Sequence, residues 1–255
     1  MAADASPSSI RDFFDGVSDT DVSLVTINRT QPKPVQELLA DAFSAQSLDL
    51  VERSLPQDDD DVVALRKDGE VHAVSSLNDL MQSFLLVNAD RFQTGTKGFD
   101  DDIPDVLKGM DDTLFDLRGY PVSNKEKLLL ILISRHIERL AYEAAEGRLR
   151  STFQRLSRLE DELGTKKVYE RLAGRTVDVH VYGVPDGVPE QLDVTVHRGT
   201  SDEYRRSWSV VFQPPAENRG AALLAHQQEP NRWEGFWTYD ADTVSRIDDY
   251  LARSF

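Results

Sequence analysis

The chain has 255 residues, no cysteine, and 45 acidic against 29 basic residues, which gives a formal net charge of −16. This length allows one large domain or two small ones, and the lack of cysteine excludes disulfides, thiolate metal sites and a cysteine nucleophile. The longest apolar run, residues 128–133, falls far short of the roughly twenty residues of a membrane-spanning helix, and no signal peptide is evident, so we expect a soluble cytoplasmic protein.

Aspartate predominates among the acidic residues, with 30 aspartates against 15 glutamates, and arginine among the basic residues, with 21 arginines against 8 lysines. An acid excess of this size repels itself unless salt screens it, and in molar salt the Debye length is only about 3 Å. The composition therefore indicates a halophilic protein. Because acidity would then be an adaptation to the solvent, it is only weak evidence against nucleic-acid binding.

The first hundred residues predict a small αβ unit over residues 9–100, after a disordered start over residues 1–8. Apolar periodicity, turn residues and capping serines mark its elements. The predicted elements are a short helix (9–17) capped by Ser8 or Ser9, a strand (21–28), a helix (33–43), a strand (49–55), a hairpin (62–74) and a helix (76–86) capped by Ser76.

The middle of the chain predicts a long central helix. Residues 90–124 suit an exposed loop with one strand at 112–117, and Ser123 and Glu126 then form a capping box at the start of a helix that Gly147 ends. The first half of this helix is apolar nearly all round, which predicts burial at the centre of the protein or in a dimer seam. Residues 151–174 predict two short helices broken at Gly164.

The last third predicts a sheet. Apolar and polar residues alternate in residues 177–183 and 192–199, and residues 207–213, 221–227 and 232–239 are also typical of strands. An amphipathic helix follows over residues 240–255. The fold class predicted for the whole chain is α+β: an antiparallel five-stranded sheet with helical cover on one face, preceded by the smaller αβ unit and the long helix.

Several stretches of this last third resemble the DICT sensory domain, which is named for its occurrence in diguanylate cyclases and two-component proteins. They are VYERLAGRTVDVHVYGVPD (168–186), DVTVH (193–197), SWSVVF (207–212), AALLAHQQEPNRWEGFWTYD (221–240) and IDDYL (247–251).

The resemblance implies a DICT-like region over residues 101–255 that may share one core with the first unit. It implies a sensory or signal-transduction role without catalysis, and the composition is similar to that of stand-alone haloarchaeal members. The resemblance carries over no ligand and no site residue. No kinase, cyclase or receiver domain is evident, so we expect output through a signalling or regulatory partner protein.

A dense aromatic cluster near the end of the chain is the main candidate site. On a strand, Trp233, Gly235, Trp237 and Tyr239 share one face and Phe236 lies on the other. Either both faces are packed core, or Gly235 leaves room for a flat ligand between two tryptophans. The candidate ligand-binding residues are His180, Tyr182, Trp208, Trp233, Gly235, Trp237 and Tyr239.

Other kinds of site find less support. His180 and His197, with Asp178, Asp193 or Glu234, could bind zinc, but histidines on half-exposed strand faces are more often structural, so we predict no metal site and name no cofactor. No P-loop, G-x-S-x-G or G-x-G-x-x-G motif is present, and we expect no enzymatic activity.

The sequence leaves three functions open. We favour a sensory module that binds a small ligand or receives a signal and relays it by protein contact, with a homodimer as one form of association. The main alternative is an interaction or scaffold protein without a ligand. A DNA-associated regulator is the third, based on Arg148, Arg150, Arg155 and Arg158, which suit a solvated helix surface better than a recognition helix.

Overall fold

The computed structural model describes residues 7–17, 21–28, 48–54, 61–90, 99–100, 102–118, 127–161, 163–187, 192–215 and 219–255. The first part of the chain forms a four-stranded sheet in the order β2-β1-β3-β4, in which only β1 and β2 are parallel. Its strands are β1 (Val22–Ile27), β2 (Leu48–Arg53), β3 (Val62–Lys67) and β4 (Glu70–Ser76), followed by helix α1 (Leu77–Asp90). The predicted strands, hairpin and following helix are confirmed, and the helix predicted over residues 33–43 lies outside the described residues.

A seven-stranded sheet forms the rest of the described structure, in the order β5-β11-β10-β9-β6-β7-β8. Its strands are β5 (Phe115–Arg118), β6 (Glu146–Arg155), β7 (Thr176–Val184), β8 (Thr195–Arg198), β9 (Ser207–Gln213), β10 (Ala221–Glu229) and β11 (Arg232–Thr238). Strand β6 pairs with β7 in parallel, as does β7 with β8. The prediction of an antiparallel five-stranded sheet is therefore wrong in strand number and in pairing.

Strand β6 is the main error, because its first two residues were assigned to the end of the long helix and residues 151–155 to a shorter helix. Leu149 and Phe153 lie on one face of the sheet and pack in the larger apolar core. Arg150 points to the opposite face and is buried there. Arg150 is tolerated because its Nε donates to Asp248 at 2.9 Å. That partner is 98 residues away, so the local sequence does not show it.

Helices cover both faces of the seven-stranded sheet rather than one. They are α3 (Lys127–Ala144), α4 (Arg158–Asp161), α5 (Leu163–Ala173), α6 (Asp202–Arg206) and α7 (Ala241–Ser254), with a 3-10 helix (Ile10–Gly16) near the start, whereas α2 (Asp105–Lys108) packs on β3 and β4 of the small sheet. One face packs on α3 and α5, and the other packs on α7 and the 3-10 helix. The 3-10 helix begins at a capping box formed by Ser9 and Asp12, which confirms the predicted cap.

Helix α3 lies at the centre of the larger core. Leu129, Leu132 and Ile133 are buried within the same chain, so this face of the helix is not available as a dimer seam. The same apolar cluster contains Leu24 and Leu65 of the small sheet. The small sheet and the seven-stranded sheet therefore pack against one continuous core, and a cleft opens where the small sheet's edge meets α3. The domain boundary near residue 100 stays a prediction.

Candidate functional site

A cleft of about 640 Å³ opens between the small sheet and helix α3. Its walls come from β4, from the segment that contains α2, from α3, and from two residues beside the ends of β10 and β11. The lining residues are His72, Ala73, Val74, Asp102, Asp105, Lys108, Gly109, Asp111, His136, Arg139, Leu140, Glu143, Arg219 and Tyr239. Of the seven predicted ligand-binding residues, Tyr239 alone lies here.

His136 and Tyr239 form the buried floor of the cleft. The hydroxyl of Tyr239 and Nε2 of His136 are 2.9 Å apart, and the rings meet edge to face. Burial lowers the pKa of His136 to about 4, and burial also raises the pKa of Tyr239 well above its usual value. At neutral pH the imidazole is therefore uncharged, and when the phenol donates to its Nε2 the ring proton lies on Nδ1.

The second ring nitrogen of His136 is turned towards the charged part of the cleft. Nδ1 lies 3.9 Å from Oδ1 of Asp102, beyond hydrogen-bond distance. The nearby cations Lys108, Arg139 and Arg219 all act against protonation of His136, whereas Asp102 favours it. His136 is thus a neutral N–H donor, only 7% exposed, that borders the cleft.

Arg219 covers Tyr239 from the solvent side. Its guanidinium carbon lies 3.9 Å from the centre of the phenol ring, a cation–π distance. The arginine itself is exposed. Its N–H groups radiate in the guanidinium plane, so a guanidinium held against a ring face keeps most of its donors available.

Ion pairs hold most of the remaining charges of the cleft. Lys108 binds Asp102 at 2.6 Å and Asp105 at 3.0 Å, and Arg139 binds Glu143 at 2.7 Å. Burial alone would raise the pKa of Asp102, but the bond from Lys108 and the charges around it outweigh burial and lower that pKa. Asp102 is therefore ionised at neutral pH and paired with Lys108.

The predicted tryptophans lie in the core rather than in the cleft. Trp233 and Trp237 are each 1% exposed and belong to the cluster that packs on α3. Trp208 donates its indole N–H to the hydroxyl of Ser134 on α3 at 3.0 Å and meets Trp233 edge to face. Ligand binding by these three residues stays a prediction, and their packing is that of a core.

The space predicted beside Gly235 is filled by the neighbouring strand. Gly235 pairs with Ala225 of β10. A Cβ at Gly235 would lie 2.3 Å from the carbonyl oxygen of Leu224 and 2.8 Å from Cα of Ala225. The glycine is therefore required by close backbone approach, and the prediction that it leaves room for a flat ligand is wrong.

His180 and Tyr182 lie at a different place, on the α7 face of the sheet. His180 contacts Asp178 through Nε2 and His197 through Nδ1, each at 2.9 Å. Tyr182 stacks on His197 with 4.3 Å between ring centres, and its hydroxyl accepts from Arg150 at 2.5 Å. The seven predicted residues thus divide among three places and do not form one site.

This histidine pair also bears on the zinc hypothesis. Both ring nitrogens of His180 are already engaged, by Asp178 and by His197. Among the described residues, no group of three or more histidine, aspartate or glutamate side chains is arranged to hold a metal ion.

In the same parts of the chain, no helix combines the length and the apolar character that crossing a membrane requires.

The sequence interpretation missed most of the cleft. His136 was counted only as part of an apolar helix face, and Lys108 and Arg219 were not considered. One local signal was available for His136: the polar run Ser134–Arg135–His136 directly follows the apolar first half of the helix. Arg219 had no such signal, because nothing in its neighbourhood points to Tyr239.

Comparison with known proteins gives a family match to part of this architecture. Residues 105–228 match the model of a family described as "DICT: Sensory domain in DIguanylate Cyclases and Two-component system". The matched segment runs from α2 to the end of β10 and includes α3, so it supplies most of the cleft. This match supports a DICT sensory domain in the chain and a signalling role, and a sensory domain is consistent with the expectation of no catalysis.

Two other comparisons add little. No curated protein matches the chain. The crystal structure of polyphosphate kinase from Porphyromonas gingivalis is similar over 95% of this chain and 47% of that one, with 10% identity and a TM-score of 0.36. The chain thus spans about half the length of that protein.

Proposed function

We propose that the chain is a sensory module that binds a small ligand in the cleft and relays the signal by contact with another protein. One observation carries the proposal: the cleft is walled by β4 on one side and by α2 and α3 on the other. Strand β4 lies outside the segment that matches the sensory family, whereas both helices lie inside it. A ligand that touches both walls favours one arrangement of β4 relative to α3, which is what a sensor needs.

The shape and lining of the cleft support a small organic ligand. Binding sites for such molecules usually measure about 300–1,000 Å³ and combine apolar walls with a few placed polar groups. Here Val74, Leu140 and the Tyr239 ring supply apolar surface, and His136 supplies a buried polar group.

Strand β4 also supports the relay step. Val71 and Val74 are 61% and 51% exposed. In the described part of the chain β4 pairs only with β3, so it forms an edge of the small sheet. Exposed apolar residues on an edge strand favour contact with another protein. We propose that this partner is a signalling or regulatory protein, or a second copy of the chain in a homodimer.

The same valines support a second candidate function, an interaction or scaffold protein that binds no ligand. The third interpretation, a DNA-associated regulator, has less support. Arg148 and Arg150 lie on strand β6 and both bind Asp248. They do not form the basic helix face that DNA recognition would use.

Ligand-dependent thermal stabilisation in molar KCl separates sensor from scaffold. The protein is heated with and without small-molecule fractions of a cell extract, beside Leu140→Trp, which fills the cleft. Leu114→Trp is the matched control, because Leu114 is 40% exposed and does not line the cleft. A sensor gains stability in the wild type and in the control but not in Leu140→Trp. A scaffold gains none in any of the three.

We also propose that the protein is cytoplasmic and halophilic, of the haloarchaeal type. The support is the aspartate-rich, lysine-poor composition and the net charge of −16. The stand-alone arrangement stays a prediction.

A further inference from the structure

We infer that the cleft selects a ligand with an anionic group, a carboxylate or a phosphate. Arg219 and the Nδ1–H of His136 bind this group by donating hydrogen bonds to it. This inference rests on the proposed ligand-binding function and names the chemical class of the ligand. It follows from which polar groups of the cleft are already used within the chain and which remain available.

Arg219 is the cation of the cleft that remains available. Its recorded contact is with the face of the Tyr239 ring, and no carboxylate among the described residues pairs with it. A guanidinium fixed in this way offers paired N–H groups that match the two oxygens of a carboxylate or phosphate. Because Tyr239 holds the guanidinium in place, less side-chain entropy is lost on binding.

The other charges of the cleft argue against a cationic ligand. Asp102 and Asp105 share Lys108, Asp111 binds Lys67 at 3.1 Å, and Glu143 binds Arg139. A cationic ligand would have to compete with these pairs. An anionic ligand needs to displace none of them in order to reach Arg219.

His136 supplies the second donor. It is more than nine-tenths buried, Tyr239 occupies its Nε2, and its Nδ1 is 3.9 Å from the nearest carboxylate oxygen. In the tautomer with its proton on Nδ1, this nitrogen can donate a hydrogen bond to a ligand oxygen in the cleft. Tyr239 contacts both His136 and Arg219, so it brings the two donors to the same end of the cleft.

The size of the cleft favours an anion that is one part of a larger molecule. An inorganic anion would occupy a small part of about 640 Å³. The rest of the ligand would lie along Leu140, Ala73 and Val74. The class is therefore an organic acid or an organic phosphate.

Binding of an anion should also be linked to pH. The charged groups that face His136 are Asp102, Lys108, Arg139 and Arg219, with the neutral hydroxyl of Tyr239. A bound anion would add a negative charge to this set and favour protonated His136. By reciprocity, the anion binds more tightly as the pH falls towards the pKa of His136.

Calorimetric titration with four probes that share one ring tests the inference. Benzoate and phenyl phosphate carry the two candidate anions, benzyl alcohol is neutral, and benzylamine is cationic. Wild-type protein is compared with Arg219→Gln and with Arg253→Gln, which makes the same charge change on exposed α7. We expect at least one anionic probe to bind, and Arg219→Gln to weaken it about tenfold, as loss of one charged hydrogen bond predicts. Arg253→Gln should leave the affinity within about twofold, and Arg219→Lys should fall between.

Each outcome decides one of the two claims. Tighter binding of benzoate or of phenyl phosphate identifies which anion the site prefers. Anion binding that is unchanged in Arg219→Gln, or a preference for benzyl alcohol or benzylamine that Leu140→Trp abolishes, overturns the anionic class but leaves the ligand-binding cleft standing.

Weak probes do not leave the question open. If no probe binds, the stabilising extract fraction is tested against Arg219→Gln: a lost response supports the anionic class and a retained response overturns it. If no fraction stabilises the wild type, both the inference and the proposed function fail. Thermal unfolding of each variant without ligand establishes that it is folded.

Discussion

Tyr239 and His136 form a 2.9 Å hydrogen bond between residues that are 103 positions apart in the chain. Tyr239 follows the last residue of β11, and His136 lies in the middle of α3. The bond therefore fixes the end of the sheet to the central helix. When the phenol is the donor, the imidazole carries its proton on Nδ1, at the side of the cleft.

Tyr239→Phe should destabilise the protein by about 1–3 kcal/mol, because Nε2 of His136 is left buried without a partner. Chemical denaturation in molar KCl measures the change. The same variant should weaken anion binding, since His136 is no longer held in one tautomer. An unchanged free energy of unfolding would show that the bond contributes no net stability.

The low pKa of His136 predicts loss of stability in acid. The folded-state pKa is about 4 and the unfolded value is 6.5, so the unfolded state binds more protons between these values. Stability contributed by the neutral folded imidazole is therefore present at pH 7 and falls as the pH drops from about 6.5 towards 4, by at most about 1.4 kcal/mol per pH unit. Urea denaturation at pH 7, 6 and 5 should show a smaller decline in His136→Gln, whereas His72→Gln, on exposed β4, should follow the wild type.

Gly235→Ala should already destabilise the sheet, because even one methyl group meets the backbone of β10 at Leu224. Overpacking of this kind costs about 1–3 kcal/mol, and Gly235→Val should cost more. Gly16→Ala is the control, since a Cβ there meets nothing within 4 Å. A Gly235→Val protein as stable as wild type would restore the hypothesis of a pocket between Trp233 and Trp237.

The ion pair between Arg135 and Glu138 is buried in the core, with 2.6 Å between Nη1 and Oε2, and Arg135 also donates to Thr165 at 2.9 Å. Glu138→Leu should cost about 3–5 kcal/mol, because it leaves an arginine charge buried without its partner. The double variant Arg135→Met/Glu138→Leu should recover most of that loss. Denaturant titration of the single and double variants checks this, and a double variant no better than Glu138→Leu would contradict the explanation.

The acidic composition predicts dependence on salt. With a net charge of −16, repulsion between carboxylates should destabilise the fold below about 0.5 M salt, where screening is weaker. Circular dichroism along a KCl titration measures the folded fraction. Equal melting temperatures in dilute buffer and in 2 M KCl, whose salt concentration is higher by about twentyfold or more, would refute the halophilic interpretation.

The sequence predicted those elements whose burial pattern is local. Strand β7 alternates valines with polar residues, and α7 has an evident apolar face, so both were found. Strand β6 was missed because Arg148 and Arg150 suit a helix surface unless Asp248, far along the chain, is known to receive them.

The cleft was missed for a related reason. The cleft brings together His136, Arg219 and Tyr239, which come from three separate segments, and its charge balance depends on pairs such as Lys67 with Asp111. Periodicity shows which face of an element is buried, but not which elements meet. Aromatic density drew attention to Trp233 and Trp237, where the aromatic side chains pack in the core, and away from Tyr239, which lines the cleft.

Helix α3 and strand β6 are joined almost directly to each other. Helix α3 ends at Ala144 and strand β6 begins at Glu146, with only Ala145, at a φ of 58°, between them. A joint of one residue holds the end of the helix close to the start of the strand. Arg148 and Arg150 on that strand bind Asp248 of α7, on the far side of the sheet. Helix, strand and ion pairs thus connect the cleft on one face of the sheet with α7 on the other.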